Sequence, residues 1–319
     1  MTESSEPLAV QLGPLRLKNP IVTASGTFGY GLEFTDFVDL SRLGAICTKG
    51  LSLHPHAGNV PPRICETPAG MLNAIGLQNV GVEVFLSEKL PRLREKGATV
   101  IANVWGDLEE DYVSVVRALE DAEGLAAIEL NISCPNVEKG GMLFGNSPQA
   151  TASLVGRVRA ATGRPLIVKL SPNAPDLVLS ARAAREAGAD VVSLVNTFVA
   201  MAIDPETARP RLSFGTGGLS GPAIRPLAVR MVFQVARALP GVPIMGIGGI
   251  TDLPDVLEFL AAGAAAVQVG TANFKEPGVS ARLVEELALF CAQRGFRPAD
   301  LVGRAHASSS VKLDAGAEG

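Results

Sequence analysis

The chain alternates short, continuous apolar runs with longer stretches in which apolar residues recur every three or four positions. Eight of the short runs are rich in β-branched residues, and their apolar residues do not alternate with polar ones. This pattern is typical of parallel strands that are covered on both faces. We therefore predict eight parallel strands, at residues 20–23, 44–48, 99–104, 126–132, 165–170, 190–195, 242–247 and 265–269.

Most of the stretches between these runs have helical periodicity and helix-end signals. After Thr251 and Asp252, either of which is placed to cap a first turn, apolar residues recur at i, i+3, i+4 and i+7 until Gly263 ends the pattern. Ser147 and Pro148, a capping residue and a first-turn proline, start another helix. Strands that alternate with helices in this way predict parallel crossover connections.

Eight strands and their helices predict one α/β domain over residues 1–319, a single (β/α)8 TIM barrel. A doubly wound open sheet is the weaker alternative. We see no boundary of a second domain, and the polar residues 1–7 and 304–319 are predicted to be loose termini.

Three further segments do not belong to the strand–helix alternation. Residues 8–17 predict an N-terminal β-hairpin that turns at Gly13 and Pro14. Two strand-end loop insertions, residues 50–80 and 198–223, are too long for plain connections. Long structured loops in compact domains are usually functional, so we expect both insertions to serve the site.

Composition and charge exclude several classes of protein. The formal net charge is −4, from 28 Lys and Arg against 32 Asp and Glu, so nucleic acid is not expected as the principal ligand. No apolar stretch reaches the roughly 20 residues of a membrane helix, and the polar N-terminus is unlike a secretory signal. We therefore expect a cytoplasmic protein without membrane contact. The four cysteines form no Cys-x-x-Cys pair, and no metal site is expected.

The active site of a (β/α)8 barrel lies at the carboxyl ends of its strands. Backbone N–H groups of glycine turns after strands seven and eight commonly bind phosphate there, although such turns also occur merely as tight bends. The side chains and glycine turns that end the predicted strands are Ser25, Lys49, Asn103, Asn131, Lys169, Asn196, Gly248-Gly249 and Gly270-Thr271.

Two of these strand-end residues are the lysines Lys49 and Lys169. Together they indicate a bound anion or an electron-rich ring, since a lysine near the pyrimidine end of a flavin stabilises the negative charge that hydride transfer creates. The alternatives are a lysine at the solvent-exposed rim and a Schiff-base lysine.

Cys134 follows the fourth strand, in a loop at the barrel top flanked by Asn131 and Asn136. A cysteine in that position can act as a nucleophile or a general base, whereas Cys47 and Cys291 fit the common case of a small buried apolar residue. None of the three histidines ends a strand. Proton abstraction by Cys134 is therefore favoured over acyl transfer.

At these residues the chain resembles the dihydroorotate dehydrogenases of the class 1 branch, over about residues 8–274. The cysteine in NISCPN indicates class 1, because class 2 enzymes have a serine at that position. The matching segments, in family order, are NPIVTASG (19–26), CTKG (47–50), NAIGLQN (73–79), NISCPN (131–136), VKLS (168–171), VNTF (195–198), GGLSG (217–221), GIGG (246–249) and VGT (269–271).

The resemblance implies one noncovalent FMN per chain and oxidation of dihydroorotate to orotate in pyrimidine synthesis. Cys134, as general base, and Lys49 are the implied catalytic residues, with a proton leaving C5 and a hydride leaving C6 for the flavin. The implied FMN contacts are Ser25, Lys49, Gly50, Asn103, Asn131, Lys169, Val195, Gly221, Gly248, Gly249, Gly270 and Thr271. The implied substrate contacts are Lys49, Asn73, Ala74, Ile75, Gly76, Leu77, Asn131, Asn196 and Thr197.

Within class 1, CTKG and NISCPNV followed by Gly140 and Gly141 are similar to the NAD-linked type. That type implies a heterotetramer, a homodimer of such barrels with two electron-transfer subunits that carry FAD and a [2Fe-2S] cluster. This chain contains neither the cysteine spacing nor the glycine motif for those groups. We therefore expect them only on a partner subunit.

Other functions remain open at this point. A related FMN barrel could act on another dihydropyrimidine, such as dihydrouracil, and a class 1 enzyme could be linked to fumarate instead of NAD. A Schiff-base enzyme would use Lys169 without a flavin. A non-catalytic interaction protein would require all of the polar strand ends to be incidental.

Overall fold

The computed structural model describes residues 7–133 and 144–307. The strands are β1 (Val10–Leu12), β2 (Leu15–Leu17), β3 (Ile21–Thr23), β4 (Ala45–Cys47), β5 (Ile64–Thr67), β6 (Gly70–Asn73), β7 (Val100–Val104), β8 (Leu125–Asn131), β9 (Leu166–Lys169), β10 (Val191–Leu194), β11 (Phe198–Ala200), β12 (Ile203–Asp204), β13 (Arg209–Pro210), β14 (Gly217–Ser220), β15 (Ile244–Ile247) and β16 (Ala266–Val269). The α-helices are α1 (Gly81–Val84), α2 (Leu90–Glu95), α3 (Glu109–Leu119), α4 (Pro148–Arg159), α5 (Leu177–Glu186), α6 (Arg225–Ala238), α7 (Leu253–Ala262), α8 (Ala272–Lys275), α9 (Val279–Arg294) and α10 (Arg304–Ala307). Shorter helical turns are Leu32–Phe34, Leu40–Arg42, Phe85–Lys89, Pro222–Ile224 and Pro298–Leu301.

Strands β3, β4, β7, β8, β9, β10, β15 and β16 close into a barrel in this order. Neighbouring strands are parallel, and β16 pairs with β3 to complete the ring. Each of the eight predicted runs overlaps one barrel strand, because strands covered on both faces are continuously apolar. The prediction of a (β/α)8 barrel is confirmed, and the closed ring rules out an open doubly wound sheet.

The N-terminal hairpin closes the amino-terminal end of this barrel. Strands β1 and β2 pair antiparallel around a turn at Gly13, as predicted. A Cβ on Gly13 would lie 3.3 Å from the carbonyl oxygen of Asp190, the residue before β10, so the turn contacts the strand starts. The hairpin residues Val10, Leu12, Leu15 and Leu17 form the floor cluster with the inward-facing barrel residues Val22, Ala45, Cys47, Ile101, Ala127, Ile167, Val191, Met245 and Ala266.

The two long insertions meet at the opposite end of the barrel. They contribute the strands of one antiparallel sheet, in the order β11-β14-β6-β5, which we name the roof sheet. Strand β6 of the first insertion pairs with β14 of the second, with Asn73 opposite Gly218. Both segments were predicted to be loop insertions, so the strands within them correct that prediction.

The predicted helix ends are confirmed. Asp252 caps α7 by accepting a hydrogen bond from the backbone N–H of Asp255, and Gly263 ends α7 in a left-handed conformation. Ser147 caps α4 with Pro148 as its first residue. No helix in the part of the chain that the structure describes is long and apolar enough to cross a bilayer.

The C-terminal segment is packed at its start. Residues Arg304–Ala307 form a helical turn, the His306 ring stacks on Phe233, and His306 Nε2 lies 2.9 Å from the carbonyl oxygen of Ala262. The first four residues of the predicted loose tail therefore contact the barrel. Residues 308–319 and 1–6 lie outside the described residues, and the single-domain organisation stays a prediction.

Candidate active site

A cavity of about 390 Å³ lies at the carboxyl end of the barrel, between the strand ends and the roof sheet. Inward-facing strand-end residues form its lower wall, and both insertions form its upper wall. The predicted site residues that line it are Ser25, Lys49, Gly50, Asn73, Ala74, Ile75, Gly76, Leu77, Asn103, Asn131, Lys169, Asn196 and Thr197. The structure thus brings most of the predicted cofactor and substrate contacts into one space, while their roles stay predictions.

Two lysines face this cavity from different strands. Lys169, at the end of β9, is only 5% exposed, and its Nζ lies 3.2 Å from Ser25 Oγ across the barrel mouth. Lys49 follows β4. Burial and then the charge of Arg63 lower the pKa of Lys49, and the charge of Glu33 raises it by a smaller amount. The cavity therefore has two cationic groups and favours an anionic or electron-rich ligand.

A cluster of side-chain amides occupies the wall beside β8 and β10. Asn131 Oδ1 accepts hydrogen bonds from Ser133 Oγ at 2.8 Å and from Asn196 Nδ2 at 3.1 Å. Asn196 Oδ1 accepts from the Thr197 backbone N–H at 2.8 Å, and Asn196 Nδ2 also donates to Ser133 Oγ. Because the Asn131 oxygen is engaged within the protein, its Nδ2 is the group that Asn131 offers to a ligand.

The loop of residues 73–77 covers the cavity and is held in place by both insertions. Asn73 Nδ2 donates to the carbonyl oxygen of Gly218 at 3.2 Å, and Asn59 Nδ2 donates to that of Ala74 at 3.0 Å. Gly76 and Leu77 have φ angles of 72° and 57°, so the chain turns sharply there. These contacts fix the loop as a preorganised wall of the cavity.

The predicted glycine turns, Gly248-Gly249 and Gly270-Thr271, together with Gly221 form a glycine cradle, which lies beside the cavity and does not line it. Gly248 and Gly249 have φ angles of 131° and 74°, and a Cβ on Gly249 would lie 2.8 Å from the carbonyl oxygen of Gly221. Thr271 Oγ1 lies 2.8 Å from Ser220 Oγ, which does line the cavity. Side-chain-free backbone thus converges at the ends of β15, β16 and β14, as an anion such as a phosphate requires.

Two further predicted FMN contacts, Gly270 and Val195, do not line the cavity. Gly270 lies at the end of β16, where a Cβ would make only ordinary contacts, the nearest at 3.5 Å to Ala24. Val195 is buried, its backbone N–H donates to the carbonyl oxygen of Ile247 at 3.1 Å, and it does not line the cavity. Neither residue shows a geometric requirement for a ligand.

Cys134, the predicted general base, lies outside the described residues, as do Gly140 and Gly141. Cys47 is fully buried, and burial followed by the charge of Glu129 raises its pKa far above the ordinary value. Cys291 is also buried, and burial raises its pKa. Within residues 7–133 and 144–307, no group of three or more His, Cys, Asp or Glu side chains could hold a metal ion.

Several residues that line the cavity were not among the predicted site residues. Ser133 stands next to the predicted base and follows a strand, so its position was a usable signal. The others lie in the insertions or beyond strand ends, where sequence shows no periodic pattern. They include Thr27, Asn59, Ile64, Met71, Asn173, Val199, Phe214, Thr216, Gly217, Gly218, Ser220 and Phe274.

Comparisons with known proteins point to one family. A protein-family model described as dihydroorotate dehydrogenase matches residues 7–290. A protein of Geotalea daltonii named "Dihydroorotate dehydrogenase B (NAD(+)), catalytic subunit" is 54% identical over 289 residues, which cover 91% of this chain and 94% of that protein. Proteins with the same name from Pelobacter propionicus and Bacteroides thetaiotaomicron are 52% and 51% identical over 297 and 290 residues, covering 93% and 91% of this chain and 97% and 95% of theirs.

Proposed function

Since the chain belongs to the dihydroorotate dehydrogenase family, we propose that it is the catalytic subunit of an NAD-linked dihydroorotate dehydrogenase. The membership confirms the resemblance found in the sequence. The reaction is the oxidation of (S)-dihydroorotate to orotate in the synthesis of UMP. The observation that carries the proposal is the cavity of about 390 Å³, in which two lysines, an amide cluster and the loop of residues 73–77 surround one space.

The residues present fit FMN as the cofactor. Gly221, Gly248 and Gly249, with Gly270 and Thr271, would hold its phosphate, since the Gly249 backbone is packed so close to Arg225 and the Gly221 carbonyl that no side chain fits there. Ser25, Gly50, Asn103, Lys169 and Val195 would surround the ring, with Lys169 placed to stabilise negative charge. When bound, FMN supplies the acceptor for the hydride from C6 of the substrate.

Substrate recognition would use the remaining polar groups of the cavity. Lys49 would pair with the substrate carboxylate, and Asn73 with the loop through Leu77 would cover it. Asn131 Nδ2 would donate to an acceptor on the pyrimidine ring, because its Oδ1 is held by Ser133 and Asn196. Thr197, fixed through its backbone N–H to Asn196 Oδ1, would complete this wall.

Cys134 would take the C5 proton as general base, while the hydride leaves C6 and the C5–C6 double bond forms. A free thiol has a pKa of about 8.5, and cationic neighbours lower it. Lys49 and Lys169 are the cations that face the cavity next to β8, on which the Cys134 loop begins. Flavin reduction should therefore become faster as the pH rises, until the thiol is ionised.

The oxidant would be NAD, reached through a second polypeptide. The relatives' names contain both "NAD(+)" and "catalytic subunit", and a catalytic subunit has a partner. We expect a heterotetramer in which FAD and a [2Fe-2S] cluster are carried by the electron-transfer subunit. The isolated chain should then reduce an artificial dye but form no NADH; rapid NADH formation by the chain alone would contradict this part of the proposal.

The decisive experiment is anaerobic mixing of the purified chain with dihydroorotate while flavin absorbance is followed. We expect a flavin spectrum that bleaches with dihydroorotate, and Cys134→Ser should slow the bleaching by about 10²–10⁴-fold with FMN retained. Cys65→Ser is the matched control, because Cys65 is partly exposed and does not line the cavity. A colourless protein, or bleaching by dihydrouracil but not by dihydroorotate, would overturn the proposed activity.

A further inference from the structure

A layer of polar side chains lies inside the barrel, between the floor cluster and the cavity. Its centre is Glu129 on β8, which is fully buried. Glu129 Oε1 lies 2.8 Å from Asn103 Nδ2 and 3.2 Å from Cys47 Sγ. Glu129 Oε2 lies 2.8 Å from Ser193 Oγ and 2.6 Å from Gln268 Nε2. One carboxylate thus joins four other barrel strands, β4, β7, β10 and β16.

The contacts around Glu129 indicate an ionised carboxylate. Each oxygen meets an amide N–H group, which only donates, together with a thiol or hydroxyl that can donate. Within the described residues no Lys, Arg or His forms an ion pair with Glu129, so these four neutral donors stabilise its charge. A buried charge that is stabilised only by dipoles has a large desolvation free energy, and an apolar residue at this position would avoid it.

The position of Asn103 connects this carboxylate with the cavity. Because Asn103 Nδ2 donates to Glu129, the amide turns its oxygen away from the layer. A Cβ on Gly50 would lie 3.0 Å from Asn103 Oδ1, and both Gly50 and Asn103 line the cavity. Glu129 therefore makes Asn103 an acceptor toward the cavity, which suits the imide N–H of a flavin or pyrimidine ring.

Glu129 also lies near Lys169, one of the two cationic groups of the cavity. The register of β8 and β9 places Lys169 opposite Asn131, one inward-facing position beyond Glu129. Reduction of a flavin adds negative charge to its ring, so a fixed negative charge nearby disfavours reduction and a positive one favours it. Glu129 and Lys169 therefore act on a bound flavin in opposite directions.

Resting on the proposed function, we propose that Glu129 is a positioning residue of the flavin site, which fixes the acceptor oxygen of Asn103 toward the ring and lowers the flavin's reduction potential. The role is separate from the predicted ligand contacts, since Glu129 does not line the cavity. The proposal predicts that the charge of Glu129 affects the reduction potential of FMN and that its hydrogen bond to Asn103 affects FMN binding. Two substitutions separate these effects.

Glu129→Gln isolates the charge. Gln268 Oε1 is buried without a partner, so the Gln268 amide can rotate and accept from the new side-chain N–H. Asn103 then keeps its acceptor at residue 129. We expect the midpoint potential of bound FMN, measured by equilibration with redox dyes, to shift to a more positive value, with the FMN dissociation constant within about threefold of wild type.

Glu129→Leu removes both the charge and the acceptor of Asn103. We expect the same positive shift and, in addition, FMN binding weakened by about tenfold in titrations of the apoprotein. Ser193→Ala is the matched control, because it removes one donor of the layer but leaves the carboxylate, and its potential should equal that of wild type. If Glu129→Gln does not fold, the triple substitution E129L/S193A/Q268L tests the charge instead, since it removes the carboxylate together with two of its four donors.

Each outcome decides a separate point. An unchanged potential in folded Glu129→Gln, or a shift equally large in Ser193→Ala, overturns the role of Glu129 and leaves the proposed function intact. Wild-type protein that binds no FMN overturns the proposed function instead.

Discussion

The two ends of the barrel are built from the same eight strands but have opposite interiors. At the amino-terminal end the hairpin and the floor cluster are apolar, and at the carboxyl end the interior is polar and opens into the cavity. Strand β8 shows the change in steps of two residues, from Ala127 in the floor cluster through the buried Glu129 to Asn131 on the cavity wall. Stability and ligand chemistry are therefore separated along each strand, and substitutions at the two ends should affect different measurements.

The largest effect is expected at the floor. Leu12 is fully buried in the floor cluster, and Leu12→Ala should lower the free energy of unfolding by about 2–5 kcal/mol, through lost apolar burial and the cavity left behind. Urea denaturation of the apoprotein measures it, with Gln11→Ala, exposed on the same strand, as the control. A change in the FMN affinity of the folded Leu12→Ala protein would show that the two ends of the barrel are not independent.

The converse effect is expected at the glycine cradle. Gly249→Ala places a Cβ 2.8 Å from the Gly221 carbonyl, so the backbone must shift, and FMN binding should weaken by roughly 10- to 100-fold. Gly241→Ala is the matched control: φ is 83°, nothing lies within 4 Å of its Cβ, and the residue precedes β15 at the amino-terminal end. Equal loss of FMN in both variants would show that the effect is one of folding, not of the cradle.

A smaller effect concerns the pH range of ligand binding. Burial and then Arg63 lower the pKa of Lys49, so Lys49 loses its proton, and its attraction for a carboxylate, at a lower pH than an exposed lysine. The affinity for orotate, followed by its perturbation of flavin absorbance, should fall by up to about tenfold as the pH rises through that pKa. Arg63→Gln should move the fall to higher pH, toward 10.5. Lys49→Gln, the control, should bind weakly without this fall; the same fall in Lys49→Gln would assign it to another group.

The smallest effect is expected on the solvent-exposed outer surface. Arg42 and Glu285 form an ion pair of 2.7 Å, with their side chains 48% and 56% exposed. Glu285→Gln should lower the free energy of unfolding by no more than about 1 kcal/mol, because solvent screens such pairs. Thermal denaturation at low and high salt checks this, since the difference from wild type should shrink with salt. A difference above 2 kcal/mol would mean that the outer helices contribute as much as the floor.

The barrel itself was predictable because of how its strands are covered. All eight strands lie between the barrel interior and the helices, which requires continuous apolar runs, and those runs are visible in one sequence. Strand-end positions then followed from the barrel, and they include the cavity-lining residues Lys49, Lys169 and Asn131.

The roof sheet was not predictable by the same reasoning. Its strands are short, β14 is half glycine, and in β5 exposed residues alternate with half-buried ones. The pairing partners Asn73 and Gly218 are 145 residues apart, and no local pattern records such a contact. Glu129 was hidden for a related reason: it lies within an apolar run, and its hydrogen-bond partners come from four other strands.

The pairing of β6 with β14 makes the two insertions a single unit for exchange between proteins. Three consecutive pairs, Asn73↔Gly218, Leu72↔Leu219 and Met71↔Ser220, join them above the barrel. A chimera that received one insertion from a relative with another substrate would have to match the donor's β6 to this chain's β14, residue by residue. Transplanting both insertions together keeps that match and leaves the barrel strands unchanged. The substrate loop can therefore be exchanged only together with the second insertion, to which β6 is paired.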